Sequence, residues 1–242
     1  MKRLDLLLVE RGLAESRARA RWLVRQGKVR VAGRPCLQAG RRFPEEVPLE
    51  VIEALPYVSR GGLKLAQVLE AFQIPVEGRV ALDVGASTGG FSDCLLQRGA
   101  ARVYAVDVGR GQLHPRLRAD PRVISLEETD IRDLETLPGG EAPDLAVVDV
   151  SFISLRRVLP AVLRLLRPGA EVVALVKPQF ELGPEAVNRR GMLRRPEEGK
   201  RAVREVLSFA QELGLHPAGT IPLPPDSERG NIEYGVYFRR GG

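Results

Sequence analysis

With 242 residues, 44% of them hydrophobic, the chain can bury one substantial core and a second small one. No apolar run approaches the roughly 20 residues that span a bilayer, and the amino terminus interleaves charge with leucine instead of building a signal-peptide core, so a cytoplasmic protein with no membrane partner is expected. Cys36 and Cys94, the two cysteines, fall in segments that read as separate units, which argues against a disulfide framework. The net charge of +6 is unevenly placed: residues 1–42 hold twelve Lys and Arg against Asp5, Glu10 and Glu15, a balance of +9, which leaves −3 for residues 43–242. A basic head on a nearly neutral body points to a polyanion docked at the head, most simply nucleic acid.

Within the head, Arg3-Leu-Asp-Leu-Leu-Leu-Val9 reads as a short helix ended by Gly12, and Ser16 is a natural N-cap for a second helix over Arg17–Arg25, ended by Gly27. Lys28-Val-Arg-Val31 alternates as a strand, Ala32-Gly33 turns, and Leu49-Glu-Val-Ile52 supplies another short strand. Arg17, Arg21 and Arg25 are spaced by four and share one helical face, with no acid at i±4 to neutralise them. Such a row can track a phosphate backbone; the plainer alternative is a solvated charged face.

A linker is expected over 54–59, where Pro56 favours extended chain and Gly61-Gly62 permits a turn soon after, giving a head at 1–53 and a body at 60–242. Leu63–Phe72 is amphipathic and reads as a helix leading into a sheet. Strands are expected near 79–84, 102–107, 122–126, 144–149, 171–176 and 231–238, with helices near 90–98, 154–166 and 196–213, an alternation that implies a mostly parallel α/β sheet.

Two strand ends carry a cofactor signal. Asp83-Val-Gly85-Ala-Ser87-Thr-Gly89 joins a strand to a helix start, where glycines accept positive φ and free N–H groups face a ligand; a tight strand-to-helix connection with no ligand is the alternative. Asp107 closes the next strand 24 residues after Asp83, a spacing suited to accepting both hydroxyls of a ribose, although an acid there can also simply cap the following helix. Asp149 and Lys177 close two further strands, Lys64 lies on the first helix of the body, and Glu233 enters the last strand. Lysine is scarce, five against 32 arginines, so two lysines among these four positions stand out. Arginine serves a structural ion pair equally well, whereas only lysine can give up its proton. His114 and His216 lie far apart beside prolines and suggest no metal site.

The amino-terminal stretch, with Arg3-Leu-Asp5, Ser16-Arg17 and Gly27-Lys-Val-Arg-Val-Ala-Gly33, resembles the S4 RNA-binding domain. By that resemblance the partner is structured RNA, and Arg3, Lys28 and Arg30 join Arg17, Arg21 and Arg25 as its contacts. The body goes further. Tyr57-Val-Ser-Arg-Gly-Gly-Leu-Lys64, Asp83–Leu96, Val106-Asp-Val-Gly-Arg-Gly-Gln-Leu113, Val148-Asp-Val-Ser-Phe-Ile-Ser154, Leu175-Val-Lys-Pro-Gln-Phe180 and Gly230-Asn-Ile-Glu233 resemble the TlyA family over nearly the whole chain. These are S-adenosylmethionine-dependent ribosomal RNA 2′-O-methyltransferases, some labelled haemolysin A, with a catalytic domain similar to the FtsJ fold. The resemblance implies a Rossmann-like class I methyltransferase with a mostly parallel seven-stranded sheet behind a small α+β S4 domain. It implies a Lys64-Asp149-Lys177-Glu233 tetrad, and a cofactor site drawn from Asp83, Gly85, Ser87, Gly89, Asp107 and Asp149, with Asp130 near the adenine.

The chemistry asks for such a set. A ribose 2′-hydroxyl is a poor nucleophile, so a base must take its proton as the oxygen attacks a sulfonium methyl, and Lys177 is the candidate. A free lysine is protonated at neutral pH; desolvation or a neighbouring cation such as Lys64 has to favour its neutral form, while Asp149 and Glu233 orient the groups and oppose that shift. A target ribose inside a duplex must be exposed, and Phe91, Phe152 and Phe180 beside the motifs either stack on an unpaired base or pack in the core. The resemblance implies a cytidine; short termini lean toward large-subunit RNA, with the small subunit as a further substrate, and a monomer is expected. A non-catalytic ribosome-assembly factor and, remotely, a membrane-active haemolysin are the rival readings.

Overall fold

Short apolar runs punctuated by glycine give the first 55 residues small elements and a small core. In the computed structural model, which describes residues 1–52, 55–223, 225 and 230–241, they form one compact unit, Met1–Leu55, and Pro56–Gly242 forms a second. The first contains β1 (Lys2–Arg3), α1 (Leu4–Glu10), α2 (Arg17–Arg25), β2 (Val29–Val31), β3 (Arg34–Pro35), β4 (Arg42–Phe43) and β5 (Leu49–Val51). The Ser16 hydroxyl caps α2 by accepting the N–H of Arg19 at 3.2 Å. Leu4 and Leu8 of α1 meet Ala20, Leu23 and Val24 of α2 over Val29 of the β3-β2-β5 sheet. Arg3, expected in the first helix, lies in β1 because its backbone pairs with Arg42.

The second unit begins with Pro56-Tyr-Val58 tied down: the Asp93 carboxylate accepts the Val58 N–H at 2.8 Å and the Gln97 amide donates to the Pro56 carbonyl at 2.7 Å. Ala54, where the linker was expected to start, lies outside the described residues. The chain then runs α3 (Gly61–Ala71), β6 (Val80–Val84), α4 (Gly90–Gln97), β7 (Arg102–Val106), α5 (Pro115–Arg118), β8 (Val123–Leu126), β9 (Leu145–Val148), α6 (Leu155–Leu165), β10 (Glu171–Val176), α7 (Pro178–Glu181), α8 (Glu197–Glu212), β11 (Leu215–Leu223) and β12 (Glu233–Arg240). The sheet order is β11-β12-β10-β9-β6-β7-β8; β6 to β10 are mutually parallel, and β12 runs antiparallel between β10 and β11.

Strand β9 is a continuous apolar run, and β6, β7 and β10 are nearly so, broken by Asp83 within β6 and by Arg102 and Glu171 at the starts of β7 and β10, because both faces are covered. Leu159, Val162, Ala202 and Val206 of α6 and α8 pack on one face; Leu65, Leu69, Leu95 and Leu117 of α3, α4 and α5 pack on the other. The direction of strand succession reverses at β6, between β7 and β9, and in open α/β sheets ligands bind beyond the carboxyl ends of the strands at such a switch point. Strand β11 was not foreseen, because Pro217 and Pro222 argue against a ladder strand. It lies at the sheet edge with a bulge between Pro217 and Gly219, where a missing N–H is tolerated.

Candidate active site

The turn after β6 is shaped by positive φ at Gly85 (83°), Ser87 (48°) and Gly89 (94°). At Gly85 a side chain is sterically impossible, since a Cβ would collide with the backbone carbonyl of Asp149. The Ser87 N–H donates to Asp107 at 2.8 Å, and the other Asp107 oxygen accepts the Gly109 N–H at 2.7 Å. The end of β7 therefore fixes the turn after β6, and Asp107 caps its own loop as well. Gln112 adds a bond to the Ser87 hydroxyl at 3.1 Å.

Asp83 does not line a cavity. Its carboxyl is fully buried beneath the turn, where one oxygen accepts the Ser92 hydroxyl at 2.6 Å and the other has no partner. Burial pushes this acid up to about 7, and the negative charges of Asp149 and Asp107 push the same way. Gly89 is likewise buried, and caps α4 in the left-handed conformation.

Two cavities meet at this turn. The larger, about 640 Å³, has Asp107 and Asp130 as acids and Val108, Ile131, Ile153 and Val158 as apolar wall. The smaller, about 430 Å³, is polar and contains Lys64, Asp149, Lys177 and Glu233 together with Ser59 and Arg60. Gly85, Ser87, Asp149 and Ser151 line both. An apolar slot with a few convergent polar groups at its mouth is the ordinary design of a small-molecule site. Asp130 caps the short turn Ile131–Asp133 and pairs with Arg132 at 2.6 Å, which holds its carboxyl below the usual range.

The four charged residues gather as two ion pairs. Lys64 meets Glu233 at 2.8 Å, bringing α3 to the start of β12, and Lys177 meets Asp149 at 2.6 Å, linking the ends of β10 and β9. Lys177 also donates to the Ser151 hydroxyl at 2.9 Å. All four side chains are largely buried, between 11% and 21% exposed, so the pairs lie in a low-dielectric wall rather than in open solvent. The loop after Asp149 is held from behind: the Leu155 N–H at the start of α6 donates to Glu181 of α7 at 2.8 Å, and Ser154 donates to the same carboxylate. That anchoring couples the Asp149–Ser151 loop to the Lys177 loop. Ser151, Ser59 and Arg60 lie in the stretches that carry the family resemblance but were given no role in the sequence reading; Ser151 had a signal, two residues beyond an acid that closes a strand.

Of the three phenylalanines, Phe91 is core, at 3% exposure. Phe152 is 90% exposed, held at φ 65°, and its ring lies 5.0 Å from that of Phe180. A bulky residue in the left-handed region and in solvent is costly, a combination that clusters at functional sites. Among the described residues no three His, Cys, Asp or Glu side chains are placed to hold a metal ion, and no helix is long and apolar enough to cross a membrane.

In the first unit the arginine row finds its acid elsewhere in sequence. Asp5 of α1 is fully buried, and Arg3, Arg17 and Arg21 converge on it at 2.9, 3.4 and 3.1 Å. Arg3, which also forks onto both oxygens, and Arg21 hold the carboxyl down at about 2 against the opposing effect of burial. Three guanidiniums share one carboxylate and remain 39–49% exposed, a surplus of positive charge facing water. Arg25 and Arg30 are exposed and Lys28 is half-buried.

Residues 57–240 match the FtsJ-like methyltransferase family and residues 2–46 match the S4 domain. The chain is 46% identical over 239 residues to the 16S/23S rRNA (cytidine-2'-O)-methyltransferase TlyA of Mycobacterium tuberculosis, covering 98% of this chain and 89% of that protein. It is 36% identical over 183 residues to the 23S rRNA (cytidine-2'-O)-methyltransferase TlyA of Campylobacter jejuni, covering 75% and 70%. A solved structure from Streptococcus thermophilus that carries a hemolysin label superposes with a TM-score of 0.78 at 40% identity, covering 99% of this chain and 88% of that one. With both domain matches in order along the chain and this level of identity over nearly its whole length, the protein belongs to the TlyA family of S4-headed, FtsJ-like methyltransferases.

Proposed function

We propose that the chain methylates the ribose 2′-hydroxyl of a cytidine in ribosomal RNA with S-adenosylmethionine as donor, large-subunit RNA being the first substrate to test and small-subunit RNA the second. The observation that carries this reading is the placement of Lys177 against Asp149 and Ser151 at the seam of the two cavities, with the Lys64–Glu233 pair in the same wall.

The residues fit the donor. Asp107 spends one lone pair of each oxygen on a backbone N–H and keeps others for ribose hydroxyls. Asp130 and the Val108–Ile131 wall would hold the base, and Gly85 and Ser87 would lie against the portion that crosses the turn. Asp83 and Gly89, buried under that turn, would hold its shape. Bound S-adenosylmethionine supplies an electrophilic methyl. Once its ammonium has released a proton to solvent, the neutral Lys177 amine accepts the proton of the 2′-hydroxyl as its oxygen becomes nucleophilic; Asp149 and Ser151 aim the amine, and Lys64 with Glu233 positions the ribose. Phe152, solvent-facing at the cavity rim, offers its ring to the base of a nucleotide turned out of its helix. Arg3, Arg17, Arg21, Arg25, Lys28 and Arg30 of the S4 unit contact phosphates and 2′-hydroxyls of the same RNA.

The test is transfer of a labelled methyl to isolated large subunits, small subunits and naked ribosomal RNA, with the product mapped by mass spectrometry. A 2′-O-methylcytidine is expected, and Lys177→Ala should lower its rate by about 10²–10⁴, the usual worth of a general base, with S-adenosylmethionine affinity intact. RNA binding with no transfer to any substrate would instead favour an assembly factor that keeps the fold as scaffold.

A further inference from the structure

Between α7 and α8, Val187-Asn-Arg-Arg-Gly-Met-Leu-Arg-Arg195 carries four arginines in nine residues, and nothing above uses them. The segment is built rather than loose. Asn188 accepts the N–H groups of Arg190 and Met192 at 2.8 and 3.2 Å, its own N–H donates to the Met192 carbonyl at 2.8 Å, and Gly191 turns the chain at φ 73°. Val187 then bridges Leu193 in antiparallel fashion, closing a small hairpin.

Asn231 clamps this hairpin to the catalytic wall. Its side-chain oxygen accepts the Leu193 N–H at 2.9 Å and its amide donates to the Gly191 carbonyl at 2.8 Å. Glu233, partner of Lys64, follows two residues later, so the clamp lies within about 7 Å of chain from the tetrad. Arg189, Arg190, Arg194 and Arg195 are exposed, and Arg194 alone among them spends its guanidinium inside the chain, on the Val187 carbonyl at 2.9 Å. Elsewhere in this unit Arg98, Arg102, Arg116, Arg118, Arg122 and Arg167 each meet a carboxylate; among the described residues these four meet none. Even with the exposed Glu185 and Glu197 counted against it, the hairpin keeps a surplus of positive charge beside the active site.

We propose that this hairpin is a second RNA-binding surface, in the catalytic unit itself, which grips backbone phosphates flanking the target ribose. Guanidinium forks match phosphate oxygens in geometry and charge, and a preordered hairpin gives up less conformational freedom on binding than a loose arginine loop. The inference rests on the RNA substrate proposed above. It adds that the catalytic unit holds its own stretch of strand instead of relying on the S4 head alone.

The test uses the full chain, its methylatable RNA, and the variant Arg189→Ala/Arg190→Ala/Arg195→Ala, which spares Arg194 and removes side chains that make no hydrogen bond within the hairpin. The KM for RNA should rise about tenfold or more near 0.1 M salt, and the slope of log affinity against log salt should become shallower by roughly 2 to 3. Turnover at saturating RNA and S-adenosylmethionine affinity should stay at wild-type values. Arg102→Ala/Arg167→Ala, which removes a half-buried and an exposed arginine near the opposite ends of the strands, should behave as wild type. A triple variant with unchanged KM and salt slope, or a control that loses as much, overturns the surface alone. A wild-type chain that neither binds nor methylates RNA overturns the function and this surface together.

Discussion

Asp5 in the S4 unit and Asp83 in the catalytic unit are both fully buried carboxyls, yet they are driven in opposite directions. Asp5 is held at about 2 because arginines converge on it and outweigh burial; Asp83 is pushed to about 7 because burial outweighs its bond from Ser92, with the negative charges of Asp149 and Asp107 adding to the push. Burial alone does not decide whether an acid is ionised, and the partners do. The consequence differs by unit. Asp5 is an anion at neutral pH that organises surplus cations at a surface, whereas Asp83 keeps its proton up to about 7, buried beneath the glycine turn.

This contrast can be broken most visibly through stability. Between the unfolded value near 3.8 and about 7 the native chain keeps a proton on Asp83 that the unfolded chain has released, so stability falls across that window as pH rises. Asp83→Asn should flatten that fall, gaining on the order of a few kcal/mol at pH 8 and nothing at pH 4 in denaturant titrations. Equal stabilisation at both pH values would mean that Asp83 is not the titrating group. Asp5 has the opposite sign: its contribution is present above about 4 and lost as pH falls through about 2.

A smaller effect, but a sharper one, concerns RNA affinity. Asp5→Asn adds one positive charge to the head, and a purely electrostatic surface would bind RNA more tightly for it. If Asp5 sets the positions of Arg3, Arg17 and Arg21, binding should weaken instead, by about tenfold, the scale of losing one or two well-placed charged contacts. Filter binding at fixed salt, with the melting temperature as a folding control, decides the sign.

The smallest expected change is at Ser151. Removing its hydroxyl leaves Lys177 its Asp149 partner but one fewer fixed direction. Ser151→Ala should lower kcat by roughly three- to tenfold, the scale of one hydrogen bond, with the KM for RNA unchanged. A rise in KM with constant kcat would move Ser151 from aiming the amine to holding RNA.

Much of this arrangement was readable in the chain. The glycine turn, the acid 24 residues on and the two strand-closing residues Asp149 and Lys177 are local signals, because each depends on what a strand end or a turn permits. Strands β6, β7, β9 and β10 announce themselves as apolar runs. The edge strand β11 did not, since its prolines are tolerated only by virtue of a position at the sheet edge that no local pattern encodes. Nor did the acid for the arginine row, because a search at i±4 looks along one helix while Asp5 comes from another.

The sequence by itself determined the division into a basic head and a nucleotide-fold body, the family, and which charged residues stand at the strand ends, because composition, period and turn chemistry are properties of short stretches. Only the tertiary structure decided how those residues combine. It pairs Lys64 with Glu233 across 169 positions, gives Lys177 both Asp149 and Ser151, buries Asp83 beneath the glycine turn, and clamps the arginine hairpin beside Glu233 through Asn231. Such pairings follow from which strand ends the parallel sheet sets side by side, and a charge takes its protonation state and its task from the neighbours that the sheet supplies.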